Sequence, residues 1–248
     1  MISISVVSHG HGTMVDALVA RLLQFPEVTQ VLLTRNLPES AATAGDARVR
    51  AIDNPAPKGF GANHNAAFGL CEAPFFCVLN PDISLPENPF PELLRCLREQ
   101  DAALAAPRVV APDGGIEDSV RKFPTVNSLV RKALFGDRGR HPAGGGKTTA
   151  PDWVAGMFML WRREAFTTLG GFDEGFFLYY EDVDICARAW KAGLRITVCP
   201  EATVIHDARR ESHRSLRFMR WHLASMARYF FKHAWRLPKT GDDLRTRT

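Results

Sequence analysis

The 248-residue chain lacks the marks of several protein classes. Its five cysteines, Cys71, Cys77, Cys96, Cys186 and Cys199, are an odd number and form no CxxC pair. That argues against a disulfide framework or a zinc site. It favours a reducing compartment, with the thiols as small buried hydrophobes. No run approaches the roughly 18 apolar residues that suggest a spanning helix. The opening MISISVVSHGHG has neither a basic n-region nor a long apolar stretch, so no signal peptide is expected. There is no internal repeat and no Gly-x-Ser-x-Gly elbow, and the Lys58-Gly59-Phe60-Gly61 segment is not a Walker A phosphate loop, which needs Gly-Lys-Ser/Thr. The expectation is a soluble or peripheral protein of the cytoplasm.

What is present is globular in kind. Apolar residues make up 46% and charged residues 23%, which excludes a disordered or fibrous chain. At about 150 residues per domain the length fits one large domain with an appendage. The net charge of +4 is uneven, because residues 207–248 carry 11 Lys/Arg against 4 Asp/Glu. A body over 1–206 and a basic helical extension over 207–248 are therefore expected. The extension interleaves Arg209, Arg210, Arg214, Arg217, Arg220 and Arg228 with Phe218, Trp221, Phe230, Phe231 and Trp235. Such a helix either lies on an anionic membrane or packs its aromatic face on the body with its arginines solvated. Nucleic acid is not an expected partner, since the body is slightly acidic and no recognition motif is present.

Apolar runs at Ile2–Ser8, Val28–Thr34, Val49–Asp53, Pro74–Leu79 and Ala102–Val110 read as buried strands. Helical spacing covers Met14–Phe25, Asn63–Leu70 and Pro91–Gln100. Alternation of this kind predicts an α/β protein with a mostly parallel central sheet and helices on its faces. Ligands of such sheets bind at the carboxyl ends of the strands. The loops His9–Gly12, Lys58–Gly61 and Asn80–Asp82 fall at or near those ends. Further on, Gly136–Pro151 reads as a surface loop, and Trp153–Arg162 is again apolar. Glu181–Lys191 reads as a helix, Leu194–Cys199 and Ala202–Ile205 as strands, and Ser212–Trp235 as a long helix.

Four groups of residues could carry chemistry. Asn80-Pro81-Asp82 ends a buried strand, where Asp82 is either an oxygen ligand for a hard cation or a turn residue. Glu181-Asp182-Val183-Asp184 follows the aromatic run Phe176–Tyr180. Acids beside rings can have a raised pKa and act as a general base, and acids also favour a helix's first turn. His206 ends a strand and becomes a metal-ligand candidate if it converges with Asp82. Lys58-Gly59-Phe60-Gly61 opens a helix whose N-terminus can meet an anion, although a lone Gly-x-Gly is usually a plain turn.

The order and spacing of these groups resemble one family. NPAPKGFGANHNAAFGL followed by FFCVLNPDISL is similar to the nucleotide-binding core of glycosyltransferase family 2. GMFMLWRREAFTTLGGFDEGFFLYYEDVDICARAWKAG followed by VCPEATVIH resembles the acceptor half of its bacterial rhamnosyltransferase-like branch. The resemblance spans about Ile2 to His206. It implies a GT-A fold, a Rossmann-like sandwich that binds a nucleotide-sugar and a divalent metal, Mn²⁺ or Mg²⁺. It implies inverting transfer from a dTDP- or UDP-sugar, rhamnose favoured, to a saccharide or lipid-linked saccharide acceptor in surface polysaccharide synthesis. Asp182, with Glu181 beside it, matches the catalytic base. Lys58, Gly59, Asn63, Asn65, Asn80, Asp82 and Arg121 match the nucleotide-sugar site. Asp82 and His206 match the metal ligands, and Trp153, Gly156 and Asp184 the acceptor side. Three departures stand out: Ser8-His9-Gly10-His11 replaces a Thr-Tyr-Asn-like loop, Arg35 stands where a base-binding Asp is usual, and Asn80 replaces the first Asp of a DxD motif. Two rival readings remain, a degenerate nucleotide-sugar-binding protein and a nucleotidyltransferase.

Overall fold

The computed structural model describes residues 1–39, 45–129, 149–207, 216–233, 236–238 and 240. Most of the expected loop 136–151 lies outside them. The architecture is mixed α/β. Strands β1 (Ile2–Ser8), β2 (Val28–Arg35), β3 (Val49–Asp53), β4 (Phe75–Leu79), β5 (Ile83–Ser84) and β6 (Ala102–Val110) alternate with helices α1 (Thr13–Leu22), α2 (Phe60–Phe68) and α3 (Phe90–Glu99). A small hairpin pairs β7 (Val120–Arg121) with β8 (Trp153–Val154). Strand β9 (Phe158–Arg162), helices α4 (Arg163–Thr168) and α5 (Glu181–Lys191), strand β10 (Arg195–His206) and helix α6 (Leu216–His233) complete the order.

The eight-stranded sheet runs β3-β2-β1-β4-β9-β6-β10-β5. Four of its seven pairings are parallel, so the expected mostly parallel sheet holds in its main body. The antiparallel pairings come from β9, inserted between β4 and β6, and from the edge strand β5 on β10. Two boundaries differ from the sequence reading. Helix α2 starts at Phe60, not Asn63, because Gly59 ends the extended segment. The strands expected at Leu194–Cys199 and Ala202–Ile205 are one strand, whose register shifts between Cys199 and Thr203. The shift accommodates Pro200, which has no N–H to give to a ladder.

One core packs α1 and α3 on one face of the sheet, through Val15, Leu18, Leu22, Phe90, Leu93 and Leu97. The other packs α4, α5 and α6 on the opposite face, through Phe166, Val183, Cys186 and Tyr229. Each such side chain contributes about 1.5–3 kcal/mol by leaving water. The spacing in α3 is that of an amphipathic helix, with Phe90, Leu93, Cys96 and Leu97 all buried. Cys96 meets Cys199 of β10, and the two form a disulfide across 103 residues of chain. This corrects the expectation of five free thiols. The sequence spacing carries no trace of the pairing, because it comes from α3 packing against β10. Cys71, Cys77 and Cys186 are free and buried, as small hydrophobes should be.

Candidate active site

The carboxyl end of β4 and the N-terminus of α5 meet one short segment, Gly156-Met157. The Asn80 N–H donates to the Met157 carbonyl at 2.9 Å. The Gly156 N–H donates to Asp182 Oδ2 at 3.1 Å. The donor-side loop and the acidic helix start are thus anchored to adjacent residues. A Cβ on Gly156 would lie 3.0 Å from the Phe60 ring, so the segment fits closely against α2.

Asp182 sits at the first turn of α5, where its Oδ1 also accepts from its own helix, from the Val183 N–H at 2.8 Å. Burial raises its pKa, and the two N–H donors only partly offset this. Glu181 is 5% exposed, and its Oε2 has no partner among the described residues. Burial, and then the charge of Asp182, push Glu181 well above the usual carboxylate range. Burial thus opposes charge on both neighbours, while the two backbone N–H donors favour the ionised form of Asp182. Arg121 favours that form too. Its guanidinium pairs with Asp118 at 2.8 Å and lies over the Trp153 ring, while its Nε is buried without a partner among the described residues. Trp153 is itself buried and donates from Nε1 to the Lys122 carbonyl.

The turn before α5 is held under strain. Tyr179 and Tyr180 adopt φ of 71° and 66°, a region disfavoured for bulky side chains. Helix α6 holds them there. Ser225 Oγ donates to the Leu178 carbonyl at 2.8 Å, Tyr229 packs on Tyr180, and His222 packs on both tyrosines.

Asp82 and His206 converge, with His206 Nε2 at 3.2 Å from Asp82 Oδ2. The other ring nitrogen, Nδ1, lies 2.7 Å from Glu117 Oε2. Burial disfavours the imidazolium, but the two carboxylates outweigh it and raise the histidine to about 9. Asp82 Oδ1 is buried with no partner among the described residues. An imidazole nitrogen facing a carboxylate with one unused oxygen is a fitting N/O donor set for Mn²⁺ or a similar ion. Glu117 went unnoticed in the sequence. It lies beside Asp118 in GGIEDS, and no local pattern ties it to a histidine 89 residues away.

The remaining candidates hold the frame. Asn63 is buried, accepts from Asn54 Nδ2 and donates to the Lys58 carbonyl. Asn36, at the end of β2, accepts from the Lys58 N–H and donates to the Lys58 carbonyl, so the Lys58–Gly59 loop is fixed at both atoms. A Cβ on Gly59 would meet the Phe177 carbonyl oxygen at 2.6 Å, which excludes any larger residue there. Asn65 exchanges hydrogen bonds with the Phe172 backbone and reaches Glu174, tying α2 to the GGFDE turn. Asp184 is fully buried and faces away from this cluster: Arg188, His233 and Lys232 hold it at 2.7, 2.7 and 2.8 Å. Despite burial, those partners keep its pKa well below the carboxylate range. Arg35, in place of the usual Asp, forms a two-toothed pair with Asp53 of the neighbouring strand.

The sequence model of the family described as glycosyltransferase-like family 2 matches residues 26–224. The rhamnosyltransferase WbbL of Escherichia coli K12 is 28% identical over 243 residues, 92% of each chain. The N-acetylglucosaminyl-diphospho-decaprenol L-rhamnosyltransferase of Mycobacterium tuberculosis H37Rv is 33% identical over 181 residues, 65% of this chain and 57% of that protein. Among solved structures, GalNAc-T7 with UDP, GalNAc and Mn²⁺ superposes with a TM-score of 0.68 at 14% identity, over 85% of this chain and 44% of that one. That likeness shows a common GT-A fold.

Proposed function

The chain belongs to glycosyltransferase family 2, and from that membership we propose that it transfers a sugar, with inversion, from a nucleotide diphosphate-sugar to a hydroxyl of a saccharide or lipid-linked saccharide. The observation that carries this reading is the Gly156-Met157 anchor, which holds the Asn80-Pro81-Asp82 loop and the Asp182 carboxylate on adjacent residues.

Asp182 is the base. It takes the acceptor hydroxyl proton on its carboxylate as the oxygen attacks the anomeric carbon. The bond from that carbon to the diphosphate oxygen breaks on the opposite face, and its electron pair leaves with the nucleoside diphosphate. Burial opposes ionisation of Glu181, which disfavours a competing charge beside the base. Arg121 supports the ionised form of Asp182 and lies at the donor side. A divalent ion, Mn²⁺ or Mg²⁺, held by Asp82 and His206 would supply positive charge beside the leaving diphosphate. Asn36, Asn54 and Asn63 hold the Lys58–Gly59 loop that lines the nucleotide pocket.

The favoured donor is dTDP-rhamnose, because two relatives carry the name of rhamnosyltransferases. A lipid-linked acceptor draws on the diphospho-decaprenol in the mycobacterial relative's name. The products belong to surface polysaccharide synthesis. The test is transfer of labelled rhamnose from dTDP-rhamnose to a polyprenyl-diphosphate N-acetylglucosamine with Mn²⁺ present, beside UDP- and GDP-sugars. Transfer with one donor establishes the reading and fixes the sugar. Nucleotide binding without transfer to any acceptor would establish a binding protein instead.

A further inference from the structure

Helix α6 has two unlike faces. Its inner face, through Ser225, Tyr229 and His233, is buried on the body and holds the strained turn before Glu181. Its outer face carries Phe231 at 95% exposure, Leu216 at 75%, Met219 at 55% and Leu223 at 52%. At 3.6 residues per turn these four fall within about one third of the helix circumference. Arg220 falls inside the same arc. Arg217 flanks it, stacked over the Trp221 ring at 4.5 Å. From Ser212 to Gly241 the sequence has no acidic residue and seven Lys/Arg. The aromatic residues of the helix therefore serve mainly the body, while a separate aliphatic and cationic stripe faces out.

We propose that this outer stripe is a docking surface for an anionic lipid bilayer. The pairing of residue types decides between occupants. A second copy packed on the same face would set Arg220 against its counterpart, with no carboxylate in either helix to neutralise it. A nucleic-acid backbone would take the arginines but leave Leu216, Met219, Leu223 and Phe231 in water. A bilayer interface takes both, burying the apolar side chains below the headgroups and holding the guanidinium groups at the phosphates. Because the opposite face of the same helix grips Leu178, Tyr179 and Tyr180, docking sets the Asp182 crevice beside the membrane surface. Delivery of a lipid-linked acceptor to that crevice rests on the function proposed above, whereas the docking itself does not.

The experiment is co-sedimentation of the full chain with vesicles of phosphatidylcholine alone or with about one third phosphatidylglycerol, at low and high salt. The L223S/F231S variant is run in parallel, with solution mass measured for both proteins. The expected result is binding to the anionic vesicles only, at least about tenfold weaker in the variant, and weakened by salt. Both side chains point outward, so the variant should keep the wild-type melting temperature and nucleotide binding. Absence of vesicle binding, or equal binding by the variant, overturns the proposal. So does a wild-type dimer that the variant dissolves without any vesicle binding, because the occupant is then a second copy. Sugar transfer to a short water-soluble acceptor would be unchanged in the variant, so loss of docking and loss of the enzymatic reading remain distinguishable.

Discussion

Asp182 and Glu181 are covalent neighbours with different fates, and the difference lies in what donates to them. Asp182 receives two backbone N–H groups, from Gly156 and Val183, whereas one oxygen of Glu181 is buried without a partner among the described residues. Asp182→Asn is expected to lower kcat/KM by about 10²–10⁴ while leaving donor affinity in place. Steady-state kinetics beside calorimetric nucleotide titration check this. A base is lost as it is protonated. Since burial raises the Asp182 pKa, the acid limb of kcat/KM should lie above the ordinary carboxylate range. A limb at or below pH 4 would count against this base. Glu117 orients His206 from behind, so Glu117→Gln should weaken Mn²⁺ binding about 10–100-fold by electron paramagnetic resonance titration. At this scale the sequence exposed the polar ends of strands, and hence Asp82 and His206. It hid Glu117, because a bond spanning 89 residues leaves no local pattern.

At the scale of elements, α5 and α6 are joined by a buried charge cluster. Asp184 of α5 meets Lys232 and His233 of α6, with Arg188 completing the set. Removing one partner of a buried pair strands the others, so Asp184→Ala should cost about 3–5 kcal/mol in chemical denaturation at pH 7. The sign with pH follows from the depressed Asp184 pKa. Its stabilisation is present above the unfolded value of about 3.9 and is lost as pH falls below it. The gap between wild type and variant should therefore narrow at low pH. Helix α6 was readable in extent, since apolar residues recur at helical spacing through Tyr229. Its orientation was not readable, because aromatic residues occur all around it and only the tertiary partner decides which of them is buried. Asp184 shows the same limit. Next to Glu181 and Asp182 it reads as a third site acid, yet helical rotation carries it to the opposite side, toward α6.

Across the whole molecule, the β-branched runs of the first 110 residues dictate the parallel half of the sheet almost directly. The antiparallel insertion of β9 and the Cys96–Cys199 pairing have no such signature. Each depends on which distant element lies alongside. Thiol titration of the denatured, unreduced protein should accordingly count three thiols, and five after reduction; five before reduction would remove the disulfide.

The place of β9 also governs how the protein is born. Its neighbours β4 and β6 are both complete by Val110, while β9 begins at Phe158. At about 5–20 residues per second, the nascent chain carries two unpaired strand edges for roughly 2–10 s before the strand that joins them is made. A ribosome paused in that interval would hold out an open seam for any passing strand, so the speed of translation there becomes part of the protein's solubility.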